Sequence, residues 1–146
     1  MSQSAILSEA EFRMDGDLAE LPRLAERVAQ FCREGSLDDS IEFHLNLILE
    51  ELFVNAVSHG GCKGMKDVVA VRLTRGSDGA VALEFSDRGA AFNPAAAPPQ
   101  PDLSAPLGER RAGGLGLHFV RSLARIVDYR RDQGWNRLKL RLAESV

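Results

Sequence analysis

Long apolar runs, a surplus of basic charge, closely spaced cysteines and clustered histidines are all missing from this 146-residue sequence. Aromatic residues make up only 6%, with one Trp and one Tyr, so any core must be mainly aliphatic. No stretch reaches the roughly 18 apolar residues that a membrane-spanning helix needs. The segment "MSQSAILSEAEF" has neither the basic start nor the continuous apolar centre of a signal peptide, and a cytoplasmic protein without a membrane partner is expected. A net charge of -3 is not the balance of a general nucleic-acid binder, so no direct nucleic-acid partner is expected either. Cys32 and Cys62 are expected to be reduced rather than bridged, because the chain has ample core without a disulfide. His44, His59 and His118 lack the spacing of a zinc site.

What is present suits one domain over residues 1–146, since an apolar content of 45% at this length buries a substantial core. Leu18, Leu21, Leu24, Val28 and Phe31 recur at helical spacing and stop at Gly35, which predicts a first helix. A second helix begins near Asp38, Asp39 and Ser40 and ends at Gly60 and Gly61. Its apolar stripe is Ile41, Leu45, Ile48, Leu49, Leu52, Phe53 and Ala56. "DVVAVRLTR" and "AVALEFSD" flank "GSDG" as one antiparallel hairpin; "IVDYRR" and "NRLKLRL" flank "DQGW" as another. Between the hairpins, Pro94, Pro98, Pro99, Pro101 and Pro106 interrupt regular structure, and so long a loop reads as a lid or a disordered segment. "LGLHFVRSLAR" follows as a short helix. The expected order is helix, helix, hairpin, loop, helix, hairpin. It implies an α+β two-layer sandwich, a mostly antiparallel sheet with helices packed on one face.

Three features carry candidate chemistry. Glu51 and Asn55 are one turn apart and share a helix face, so they can act on one ligand; the wet edge of an amphipathic helix would show the same pattern. Glu50 points about 100° away on the helix and is expected in solvent. Asp87 shares strand parity with Val81, Leu83 and Phe85, so a carboxylate faces the interior where Gly89 breaks the strand. Such a group needs a partner, either a ligand or backbone at the strand end. Gly113, Gly114 and Gly116 lead into a helix, where backbone N–H groups can approach a phosphate, although a hinge has the same composition.

In this order, "EELFVNAVSHG", "FSDRGAAFNP" and "GGLGLHFVRSLARIVDYRR" resemble the GHKL (histidine kinase-like) ATPase superfamily. They look most like its compact branch of anti-sigma factors that are serine-protein kinases, with the similarity running from about Leu18 to Leu142. The resemblance implies a Bergerat-type ATP-binding fold with a flexible ATP lid around residues 93–113, and ATP and Mg²⁺ as cofactors. It implies Asn55 as the magnesium ligand, Glu51 as the base that activates the attacking hydroxyl, and Asp87 as acceptor for the adenine amino group. Gly89 would give the base room, and Gly114 and Gly116 would let the lid close over the phosphates. Arg110 and Arg111 either contact the triphosphate or are solvated lid residues. Asn93 stands where the branch often has aspartate. No hairpin bearing a phosphoacceptor histidine and no transducer domain is apparent, so the ATP module alone is expected. The implied substrate is a small antagonist (anti-anti-sigma) protein, with a sigma factor as a second partner and a homodimer as the assembly. A nucleotide-regulated protein-binding switch without phosphotransfer, and an ATPase in which Glu51 activates water, are the alternatives.

Overall fold

The computed structural model describes residues 5–91 and 120–142. It begins with a strand that the expected order omits, β1 (Ile6–Met14), and continues through a single 3-10 turn (Leu18–Glu20) into helices α1 (Leu21–Glu34) and α2 (Asp39–Ser58). Strands β2 (Val69–Gly76), β3 (Val81–Asp87), β4 (Ala124–Asp132) and β5 (Trp135–Leu142) complete it. β1 is hard to see because Ile6 and Leu7 at its start are both exposed, and full burial comes only at Phe12 and Met14. Of the short helix expected before the second hairpin, residues 120–123 are helical and Ala124 already belongs to β4. The remainder, together with the lid expected around 93–113, Gly114 and Gly116, lies outside the described residues.

All five strands pair antiparallel in the order β1-β2-β3-β5-β4. Register lines their inward residues up in rows across the sheet. One row is Ala10, Leu73, Leu83, Leu140 and Ile126; the next is Phe12, Val71, Phe85, Leu138 and Tyr129. A third runs Met14, Val69, Asp87, Asn136 and Arg131, apolar at its first two positions and polar at the rest. A bulge between Ile126 and Asp128 shifts the parity of β4, which turns Tyr129 and Arg131 to the inner side. The β4–β5 turn places Gln133 and Gly134 at φ 48° and 85°, the left-handed pair that suits a tight hairpin.

Both helices lie on the inner side, α1 against β1 and α2 against β3. Pro22 opens α1, which buries Leu24, Val28, Phe31 and Cys32. The Asp38 carboxylate accepts from the Ile41 N–H at 3.0 Å and so caps α2. Leu45, Ile48, Leu49, Leu52, Phe53, Ala56 and Val57 carry α2 into the same core as the sheet's apolar rows. Cys32 and Cys62 are free and buried. On the opposite side of the sheet, Arg72 pairs with Glu9, Glu11 and Glu84, and Lys139 also reaches Glu84. No helix among the described residues is long and apolar enough to cross a membrane.

The connection from α2 to β2 is held at Gly16, whose N–H donates to the Met65 carbonyl at 2.7 Å and whose carbonyl accepts from Gly64 N–H at 2.9 Å. A Cβ at Gly16 would lie 1.8 Å from the Cys62 carbonyl oxygen, a backbone atom that cannot rotate away. Gly16→Ala is therefore expected to destabilise the fold by about 2 to 3 kcal/mol. Urea denaturation checks this, and an unchanged midpoint would mean that the connection is not fixed there.

Candidate functional site

Helix α2 brings its two polar interruptions together. Asn55 donates through Nδ2 to Glu51 Oε1 at 3.2 Å. Among the described residues this leaves the Asn55 Oδ1 and the second Glu51 oxygen without a donor. Both residues are partly buried at the edge of the core, and Glu50 is exposed. Burial raises the Glu51 pKa above the ordinary carboxylate value; the Asn55 hydrogen bond and the charge of His59 oppose it.

The end of the same helix meets the turn after β3. The Asn55 carbonyl accepts from both His59 and Gly60 N–H, at 2.9 and 2.8 Å, which closes α2. The Gly60 carbonyl then accepts from Ala90 N–H at 2.8 Å. A Cβ on Gly89 would fall 2.6 Å from that Gly60 oxygen and 2.8 Å from Asp87 Oδ1. Gly89 is thus required by the close approach of two backbones, a requirement additional to the room for a base that the resemblance implies. This contact joins the Glu51 and Asn55 helix to the Asp87 turn.

Asp87 occupies the inward position that its strand parity predicts and is half-buried. Its Oδ1 accepts from Gly89 N–H at 2.8 Å and from Asn136 Nδ2 at 3.1 Å, while Oδ2 takes no donor among the described residues. Burial raises the Asp87 pKa; the hydrogen bonds from Asn136 and Gly89 and the charge of Arg131 pull the other way.

Asn136, buried at 5% exposure, was not among the expected site residues, yet it is the centre of this arrangement. Its Nδ2 also donates to the Ala90 carbonyl at 2.9 Å, and its Oδ1 accepts from Tyr129 Oη at 2.6 Å and Arg131 Nη1 at 3.1 Å. Arg131 Nη1 reaches the Gly89 carbonyl at 2.6 Å as well. The signal for Asn136 was present in its shared parity with Leu138 and Leu140. None existed for Tyr129 and Arg131, because the β4 bulge reverses their face.

A carboxylate with one oxygen held and one open, and a carboxylate–amide pair on the adjoining helix, thus lie at the two ends of one backbone contact. The histidine kinase-like ATPase domain family matches residues 14–142. The chain belongs to that family. A curated relative, the serine/threonine-protein kinase BtrW of Bordetella bronchiseptica (strain ATCC BAA-588 / NCTC 13252 / RB50), is 34% identical over 100 residues, covering 68% of this chain and 69% of BtrW. The crystal structure of the RsbU and RsbW domains of Rv1364c from Mycobacterium tuberculosis superposes with a TM-score of 0.65 over 92% of this chain at 18% identity, which shows the shared fold. This chain spans 32% of that longer one. The family expectation from the sequence therefore holds, as does the α+β sandwich.

A buried carboxylate with a raised pKa costs stability when ionised. The penalty applies fully above its folded-state pKa and fades as pH falls through that value toward the ordinary one. Asp87→Asn keeps an acceptor for Gly89 and Asn136 without the charge, so the variant should be at least as stable as wild type at neutral pH. Its advantage should shrink as the medium is acidified. Denaturant midpoints across acid pH measure this; an advantage that grows on acidification would show that Asp87 is stabilised in its ionised form.

Proposed function

We propose that this chain is an ATP- and Mg²⁺-dependent serine/threonine-protein kinase of the anti-sigma type, which phosphorylates a small antagonist protein. The observation that carries the reading is the Glu51–Asn55 pair, in which each residue keeps an oxygen open beside the other. Family membership and the kinase BtrW among the relatives support it.

The donor set fits magnesium. Among the described residues no group of three His, Cys, Asp or Glu side chains could hold a metal alone, so most ligands must come from phosphate and water, as magnesium commonly arranges. Asn55 donates through its amide nitrogen to Glu51, which leaves its Oδ1 as the one neutral oxygen for the ion. When bound, the ion would supply positive charge against the ATP phosphates.

Glu51 has the work of a base. Its burial makes it a stronger proton acceptor than a solvated carboxylate. It would take the proton of the substrate hydroxyl as that oxygen bonds to the γ-phosphorus and the bond to the ADP oxygen breaks. Asp87 Oδ2 would accept a hydrogen bond from the adenine amino group. The phosphate side that the resemblance gives to Gly114 and Gly116 lies outside the described residues. A sigma factor as second partner and a homodimer belong to the same reading.

Glu51→Gln should bind ATP as wild type does and lose phosphotransfer by a factor of about 10² to 10⁴. Single-turnover transfer to the antagonist protein measures this, and a rate close to wild type would remove Glu51 as the base. Loss of ATP hydrolysis without any acceptor protein would instead favour an ATPase. Asn55→Ala should weaken nucleotide binding only when Mg²⁺ is present; equal weakening with and without the ion would contradict the metal assignment.

A further inference from the structure

We infer that Tyr129, Arg131 and Asn136 form a clasp that holds Asp87 as a pure hydrogen-bond acceptor and so selects an amino-bearing purine over one with a carbonyl at the same position. The inference rests on the nucleotide reading above and extends it to three residues that do not themselves need to touch the ligand. They are positioning residues.

The orientation of the Asn136 amide is over-determined. Arg131 can only donate, and its Nη1 lies 3.1 Å from Asn136 Oδ1. That fixes the carbonyl end toward β4, where the Tyr129 hydroxyl, 2.6 Å from the same oxygen, donates to it as well. The amide nitrogen must then face Asp87 Oδ1 at 3.1 Å and the Ala90 carbonyl at 2.9 Å, which both accept. The flipped amide would set its oxygen against two other oxygens and its nitrogen against a guanidinium, three mismatches in a buried place.

That fixed donor decides the state of Asp87. Asn136 Nδ2 and Gly89 N–H both donate to Oδ1 and so oppose the upward push of burial in favour of the carboxylate, whose open Oδ2 can only accept. An exocyclic amino group satisfies it. A carbonyl in the same place meets another oxygen and is rejected, because a polar group forced to face its own kind is left unpaired on burial. Without the clasp, burial would be opposed less and the acid, which can donate to a carbonyl, would gain ground, so the discrimination would weaken. The ionisable groups around Asp87 are Arg131 from β4 and the Cys62 thiol from the α2–β2 connection, with Tyr129 acting through Asn136; Arg88, next in the chain, stacks on Trp135 at 5.1 Å on the other side of the sheet.

The test compares wild type, Asn136→Leu and Tyr129→Phe for binding of non-hydrolysable ATP and inosine triphosphate analogues with Mg²⁺ over a range of pH. The Asp87 carboxyl is followed by carbon-detected NMR in the nucleotide-free proteins. The preference for the adenine analogue should fall about tenfold in Asn136→Leu and less in Tyr129→Phe. In both variants the Asp87 titration, and the pH below which the adenine analogue binds weakly, should move upward. Tyr129→Phe removes one hydroxyl and carries the test alone if Asn136→Leu does not fold. Unchanged preference and titration in a folded variant would overturn the clasp while leaving the nucleotide reading intact. A wild type that binds neither analogue would overturn both.

Discussion

A carboxylate directed into the interior of a sheet needs compensation, and most of this site follows from how that need is met at Asp87. Two rows of inward residues across the sheet are apolar or end in Tyr129, and the third changes character at β3. Asp87, Asn136 and Arg131 are consecutive members of that row on β3, β5 and β4, so strand register alone makes them neighbours. A one-residue slip of β5 would send Asn136 outward and leave a half-buried carboxylate with backbone alone. The apolar rows that fix register are thus also what makes the polar row possible.

Helix α2 links the Asp87 turn to the Glu51–Asn55 pair. Its apolar stripe seats it on the sheet, and that seating leaves Glu51 and Asn55 at the margin, partly desolvated yet open. Its last turn closes through the Asn55 carbonyl onto Gly60, and Gly60 in turn holds Ala90. Gly89 at that crossing lets two backbones come closer than a side chain there would allow. The separation between Asp87 and the Glu51–Asn55 pair is therefore set by main-chain hydrogen bonds, not by flexible side chains, which would suit the proposed reaction, since that depends on positioning.

Much of this was legible in the sequence, for local reasons. The α1 and α2 stripes, the Gly35 stop, the Asp38 cap and the first hairpin all follow from periodicities that burial enforces. The inward aim of Asp87 and the closeness of Glu51 to Asn55 follow from the same periods. β1 was not legible, because as an edge strand it needs full burial only toward its end, where Phe12 and Met14 lie. The inward turn of Tyr129 and Arg131 was hidden by a bulge that adds one residue to β4, a feature that strict alternation misassigns. The reason for Gly89 was hidden as well, since it depends on Gly60, far away in sequence and adjacent only once α2 has docked.

The central proposal is that Asp87 accepts a hydrogen bond from a nucleotide base. Calorimetric titration of wild type and Asp87→Asn with a non-hydrolysable ATP analogue and Mg²⁺ at neutral pH tests it most directly. The account predicts binding by the wild type and its loss in a variant that remains folded, because an amide whose oxygen serves Gly89 and Asn136 turns a donor toward the base. Equal binding by the two proteins, or none by the wild type, would contradict it.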